Sequence, residues 1–291
     1  MHKSSLYLPD RLKGRLAARA VATGRSEADL IREALERALA AAPAAPGAPP
    51  PAAVPGRFVG VGVGPGDADL LTVRAVACLR RADRVLAPTT AVDAVGRAEA
   101  VVREAVPGLR VERVAFSMSP SLAAREAALR RAAAAVAAHL DAGEEVAWIT
   151  LGDPLTYSTF ASVAERVSRA RPETILEAVP GIMAFQALAA RTGTVVAGER
   201  TRLTIRTALD GEDVSGDLAD PSTALVVYKG GRRLPELAGR AAQAGRADTA
   251  VAGELLGMPG ERTGSLRELA ASGPASYLAT VIFPAAPAGE A

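Results

Sequence analysis

Residues 58–66 read FVGVGVGPG, an unbroken apolar and glycine run that enters a Gly-Pro-Gly turn and continues as DADLLTVRA. A strand with no polar alternation has no face suited to water, so it belongs inside a sheet covered on both sides. The pattern recurs. LLTVRAVACLRRA is followed by DRVLAPT, and EEVAWITL (144–151), TILEAV (174–179) and ALVVYKG (224–230) come later, with an Ala-rich helical stretch at 122–141. Strands alternating with helices predict an α/β architecture.

The glycine turn invites a dinucleotide-binding reading, which requires G-x-G-x-x-G and an acidic residue at the end of the next strand. Here the glycines fall at 60, 62, 64 and 66, and Pro65 or Asp67 stands where the third glycine belongs. The next strand ends Ala87-Pro88-Thr89, with no carboxylate to hold a ribose, because Asp83 precedes it. The fingerprint fails. What remains is a turn that brings backbone close to a ligand, shaped by Pro65, with Asp67 placed to cap the following helix.

A second feature divides the chain. Residues 43–57, PAAPGAPPPAAVPGR, hold six prolines and five alanines, without apolar periodicity. This composition predicts a semi-rigid solvated spacer. Residues 1–42 carry eight Lys/Arg against five Asp/Glu; of the chain totals of 34 and 32, that leaves 26 and 27 for the remainder. The basic excess therefore sits in the small N-terminal piece. Within it, KSSLYLP (3–9) alternates, DRLKGRLAARAVATG places Leu12, Leu16 and Ala20 at helical spacing before Gly24, and Ser26–Asp29 fits a capping box opening a second helix. Strand, helix and helix in about forty residues cannot bury a core alone, so a second copy is expected.

Residues 3–42 resemble the ribbon-helix-helix DNA-binding proteins in the wording YLPD…TGRSEADLIREAL. The resemblance implies an antiparallel ribbon in the major groove, with Lys3, Ser5 and Tyr7 turned outward to the bases and Gly24, Arg25 and Ser26 holding a phosphate. The alternation itself is equally compatible with a pure dimerisation module whose basic residues form a solvated face.

The larger part, about 58–284, resembles the tetrapyrrole (corrin/porphyrin) methyltransferases. GVGPGDADLLTVRA is followed in order by LGDPLTYST (151–159), VPGIMAFQALAARTG (179–193), LVVYKGG (225–231) and AGELLGMPGER (252–262). Within the family, GDPLTYSTF, the GI-x-x-FQ-x-x-AAR helix and the closing YLATVIFP are most similar to the members that methylate C20 of precorrin-2. The resemblance implies the two-domain class III methyltransferase fold, divided at 58–179 and 180–291, with S-adenosylmethionine in the cleft between. Carried over by motif, the cofactor contacts are Pro65, Gly152, Asp153, Thr156, Met183, Ala184, Lys229 and Leu256. Met183 stands where Thr or Ser is frequent and Lys229 where Met is frequent, so their contacts are expected through backbone. Precorrin-2 or cobalt-precorrin-2 is the implied substrate, uroporphyrinogen III the alternative. A regulator sensing S-adenosylmethionine or a corrinoid is a reading of another class.

Methyl transfer from a sulfonium asks for alignment and dryness more than for acid–base groups. A chain with His2 and His139 as its histidines and no Ser-His-Asp constellation suits that, and no catalytic base is assigned. Tyr157 is a candidate substrate neighbour or a buried strand-end tyrosine. Arg191, Arg200, Arg202 and Arg206 are hosts for substrate carboxylates or a solvated face. Cys78 and His139 read as packing or surface residues and Trp148 as core; with a single cysteine, neither disulfides nor a Cys/His metal site is expected. No apolar run is long enough for a membrane, and the expectation is a cytoplasmic homodimer.

Overall fold

A computed structural model of the chain describes residues 10–40, 55–117, 121–209 and 213–286. The chain forms two compact units, Met1–Ala53 and Val54–Ala291.

In the first unit α1 (Asp10–Thr23) stops at Gly24, whose φ of 63° supplies the left-handed step that ends a helix. α2 (Glu27–Ala40) opens on Ser26, whose hydroxyl oxygen accepts from Asp29 N at 3.1 Å. The expected capping box is half made. The Asp29 carboxylate accepts from the Ser26 hydroxyl at 2.6 Å and from Arg32 at 3.0 Å, being one methylene too short to match the Glu that normally reaches the cap's own N–H. Among residues 12–37 none is buried, and Val21 is 86% exposed. The alternating segment with Lys3, Ser5 and Tyr7 lies outside the described residues.

The second unit begins with β1 (Arg57–Gly62), α3 (Val73–Arg81), β2 (Arg84–Thr89), α4 (Arg97–Ala105), β3 (Glu112–Ala115), α5 (Leu122–Asp141), β4 (Glu145–Thr150), α6 (Thr159–Ala170) and β5 (Ile175–Val179). The five strands are all parallel, in the order β3-β2-β4-β1-β5. Val59, Val61 and Val63 pack on one face with Ala75, Leu79, Val101 and Val102 of α3 and α4. Phe58 and Trp148 pack on the other with Val136, Phe160 and Val163 of α5 and α6. Each large apolar side chain fully buried this way contributes about 1.5–3 kcal/mol. Trp148 is fully buried, edge-on to Phe58 at 6.4 Å, and its indole N–H has no partner.

The chain continues with α7 (Ala184–Thr192), β6 (Arg202–Thr207), α8 (Ser215–Ala219), β7 (Thr223–Tyr228), α9 (Leu234–Gln243), β8 (Val251–Glu254), β9 (Arg262–Ser265), α10 (Leu266–Ala271) and β10 (Thr280–Phe283). These strands form a mixed sheet ordered β6-β7-β10-β8-β9, in which β6 and β7 alone run parallel. Period-two alternation sorts its side chains: Leu225, Val227, Val281 and Phe283 face α9 and α10, while Val226 and Ile282 face α7. The architecture is α/β, as the alternation of strands and helices predicts.

Two positions in the first sheet place the site. In the order β3-β2-β4-β1-β5 the chain leaves β1 toward β2 on one side and leaves β4 toward β5 on the other. The loops after β1 and β4 thus diverge from adjacent carboxyl ends, the location where open α/β sheets bind ligands. Both loops are pinned at the split. Val63 N donates to Thr150 O at 2.9 Å, and Gly152 N to Gly64 O at 2.8 Å.

Candidate functional site

The glycine run is explained by what lies against it. A Cβ at Gly62 would sit 2.5 Å from Gly152 O and 2.6 Å from Gly181 N, and one at Gly66 would sit 2.0 Å from Leu256 O. The glycines let three loops of the first sheet meet backbone to backbone and let the GPGD turn touch the loop after β8.

Asp67 does not cap the helix as expected. A 3₁₀ turn (Ala68–Leu70) intervenes, and α3 is capped by Thr72, whose hydroxyl oxygen accepts from Ala75 N at 3.1 Å. Asp67 instead accepts from Arg191 of α7 at 2.7 Å, and Arg191 also reaches Glu261 at 2.5 Å. The two carboxylates hold the Arg191 guanidinium above its ordinary pKa. Arg191 is thereby a clamp joining the GPGD turn to the loop before β9.

A cavity of about 690 Å³, its open mouth included, lies where these loops converge. A concave, largely apolar lining with a few converging polar groups suits a small-molecule ligand. Pro65 comes from the loop after β1, Leu151 to Tyr157 from the loop after β4, and Met183 and Ala184 from the start of α7. The second sheet contributes Tyr228 at the end of β7 and Lys229 after it, Leu255, Leu256 and Met258 after β8, Leu278 before β10 and Thr280 at its start. All eight residues assigned to the cofactor from sequence line this one cavity, together with Tyr157.

The loop after β4 is held by Asp153. Its carboxylate accepts from Leu155 N at 2.9 Å, from the Thr156 hydroxyl at 3.4 Å and from Gly181 N at 3.3 Å, fixing this loop to the one that leads into α7. Met183 caps α7, and its N–H donates to Gln186 Oε1 at 2.9 Å. Among the described residues the non-glycine positions with positive φ are Tyr157 (50°), Lys229 (61°) and Leu255 (53°), and all three line the cavity. Each costs of order 1–3 kcal/mol, a strain typically retained where a site dictates the backbone. Tyr157 is 47% exposed, so it is not a buried strand-end tyrosine; its hydroxyl donates to Ile205 O at 2.8 Å. Burial pushes the Tyr228 phenol above its ordinary value, and its oxygen accepts from Phe185 N at 3.2 Å.

The profile of the Tetrapyrrole (Corrin/Porphyrin) Methylases matches residues 57–270. The chain belongs to the tetrapyrrole methylases. It is 32% identical over 229 residues to the cobalt-precorrin-2 C(20)-methyltransferase of Salmonella typhimurium, covering 78% of this chain and 95% of that protein. It is 33% identical over 239 residues to the precorrin-2 C(20)-methyltransferase of a Sinorhizobium species, covering 79% and 95%. Among solved structures, a cobalt precorrin-4 methyltransferase of cobalamin biosynthesis shares the fold with a TM-score of 0.59 at 20% identity, covering 78% and 94%. The uroporphyrin-III C-methyl transferase of Thermus thermophilus, complexed with S-adenyl homocysteine, does so with a TM-score of 0.55 at 23% identity, covering 78% and 97%.

In this methylase the arginines expected to host substrate lie elsewhere. Arg200 is exposed in the segment before β6, Arg202 stands 3.8 Å from Asp220, and Arg206 donates to Asp217 at 2.9 Å; none lines the cavity. In the first unit Arg25 pairs with Glu33 at 2.6 Å, beside Gly24 and Ser26 at the turn. Sequence reasoning missed Leu151, Tyr228, Leu255, Met258, Leu278 and Thr280 as lining residues. The signal was present for half of them, since Leu151, Tyr228 and Leu255 adjoin residues already singled out. Cys78 is buried against β1 and β4, and burial raises its thiol pKa, in keeping with a packing role.

Proposed function

We propose that this chain is an S-adenosylmethionine-dependent methyltransferase of cobalamin biosynthesis that methylates C20 of precorrin-2 or cobalt-precorrin-2. The relatives bearing those names match it over 95% of their length. The observation that carries the reading is the convergence of Pro65, Gly152, Asp153, Thr156, Met183, Ala184, Lys229 and Leu256 on one cavity.

The residues fit the cofactor. At Gly152 a Cβ would meet nothing nearer than Met183 Cα at 4.0 Å, so its backbone is open toward the cavity. Leu151, Ala184, Leu256 and Leu278 offer apolar walls, and Thr280 leaves a buried hydroxyl without a partner for a ligand to satisfy. S-adenosylmethionine, when bound, supplies a methyl group on a sulfonium leaving group. The protein's part is alignment: the Asp153 hydrogen bonds fix the loops after β4 and β5, and the Arg191 clamp fixes the turn after β1 against the second sheet. Apolar side chains from both sheets then exclude water from the reacting carbon. Tyr157, at the mouth, is assigned to the substrate; Arg200, Arg202 and Arg206, outside the cavity and two of them paired with Asp220 and Asp217, are assigned only to substrate carboxylates that extend beyond it toward the β6 edge.

Incubation with isotope-labelled S-adenosylmethionine and precorrin-2, followed by carbon NMR of the product, tests the assignment. Label at C20 is expected. Transfer only to uroporphyrinogen III, or to a different carbon, would replace the substrate while leaving the chemistry.

For the first unit we propose a dimeric DNA-binding module, with Lys3, Ser5 and Tyr7 toward bases and Gly24, Arg25 and Ser26 toward a phosphate. Two helices with no buried residue among positions 12–37 need a partner surface, which supports a second copy. The full chain should retain double-stranded DNA with an affinity that falls steeply with salt, and deletion of residues 1–42 should abolish retention.

A further inference from the structure

Lys229 follows the last residue of β7, Tyr228, and lines the cavity with φ of 61°. An ammonium has three N–H donors. One reaches Tyr157 O at 3.1 Å, and the Tyr277 ring lies 5.9 Å away. Neither neutralises the charge. Asp153, the acid among the lining residues, is engaged by Leu155 N and Gly181 N. Burial lowers the Lys229 pKa, and among the described residues no carboxylate pairs with its ammonium, whose hydrogen bond goes to Tyr157 O. This contrasts with Arg191 at the rim, which is held by two carboxylates.

The second observation is independent. Thr280 is fully buried, and among the described residues its hydroxyl has no hydrogen-bond partner. It pairs with Tyr228 across the β10–β7 ladder, one residue from Lys229, and shares a sheet face with Ile282, which packs beside Leu256 and Ala184. An unpartnered buried hydroxyl costs about 1–3 kcal/mol, and a half-buried cation without a counter-ion is also unfavourable. Both residues line the same cavity, and one kind of group relieves both deficits.

We propose that Lys229 and Thr280 form a carboxylate subsite of the cavity, the ammonium supplying the charge and the hydroxyl a second donor. The proposal rests on the reading of the cavity as a methyl-donor site. Two carboxylates have the required chemistry: that of the donor's amino-acid end, and an acid side chain of the tetrapyrrole.

Calorimetry on the full chain separates them, with S-adenosylhomocysteine and its decarboxylated analogue as probes. If the donor's carboxylate occupies the subsite, decarboxylation weakens binding to the parent by about ten- to a hundred-fold, as expected for a charge-assisted hydrogen bond. Lys229→Met should then bind S-adenosylhomocysteine more weakly by a similar factor and no longer distinguish the two probes. Lys229→Arg should keep most of the discrimination, and Thr280→Val should lose about three- to ten-fold. If the substrate's carboxylate occupies it, both probes bind parent and Lys229→Met alike, while Lys229→Met raises the KM for precorrin-2 by about tenfold with little change in kcat. The left-handed backbone is equally strained for Lys, Met and Arg, so the comparison isolates the side-chain head. Parent-like affinities and KM in both Lys229→Met and Thr280→Val would overturn the subsite. A parent that binds neither probe would overturn the donor-site reading, and the subsite with it.

Discussion

Gly181 is among the most crowded positions of the site. A Cβ there would stand 2.1 Å from Gly152 O and within 2.9 Å of the Gly62 backbone, where no flexible side chain can yield. Gly181→Ala should cost about 3 kcal/mol or more in urea unfolding and weaken ligand binding. Gly216→Ala in α8, which meets nothing within 4 Å, should be neutral or stabilising by up to about 1 kcal/mol. Lys229 makes a different forecast, through its proton. Its pKa is lowered by burial from 10.5, so in the ligand-free protein the unfolded chain holds the extra proton, and stability rises with pH between the depressed value and 10.5. A bound carboxylate favours the ammonium, so affinity is full while Lys229 is protonated and falls as pH climbs through the depressed pKa. The titratable groups that share its cavity wall or face its ammonium are Asp153, Tyr157, Tyr228 and Tyr277, and burial raises the phenols of Tyr228 and Tyr277 above their ordinary values. Calorimetry against pH should show this alkaline limb in the parent and lose it in Lys229→Met.

At the level of elements, Arg246 ties the far end of the second sheet. It is 5% exposed, and its guanidinium donates to the carbonyls of Asp217, Asp220, Thr223, Phe283 and Pro284 at 2.9–3.4 Å, joining α8, β7 and β10. Arg246→Leu should destabilise by about 3 kcal/mol or more in urea unfolding, because several carbonyls lose their donor together. Arg246→Lys should recover little of it, since an ammonium cannot span the same fork of acceptors. Nothing in the wording AGRADTA marks Arg246, because its partners are main-chain atoms from distant loops. By contrast β1, β4 and β7 were legible as apolar runs, and Pro65, Gly152 and Ala184 through motif order. What escaped were features set by contacts between elements: Thr72 rather than Asp67 as a cap, Arg191 as a clamp rather than a substrate host, and the short β9 strand RTGS, which has no apolar signature.

Across the second unit, the cavity is assembled from loops of both sheets, so a ligand that fills it links them thermodynamically. S-adenosylhomocysteine at a hundred times its Kd should stabilise the fold by about 2.7 kcal/mol and raise Tm by about 5–10 °C in scanning fluorimetry. The Gly181→Ala protein should show a smaller shift at the same concentration. The two sheets differ in another respect. The chain's single tryptophan, Trp148, is sealed in the first sheet against Phe58, with no polar partner for its indole. Its emission should therefore be strongly blue-shifted, deaf to quenchers in solvent, and reddened only when the core between the first sheet and α5 and α6 opens. The second sheet and the helices of residues 10–40 carry no such chromophore. A denaturation curve followed by tryptophan emission is thus an optical record of one half of the methylase. Its divergence from the far-ultraviolet dichroism of the whole chain would measure how far the other parts come undone on their own.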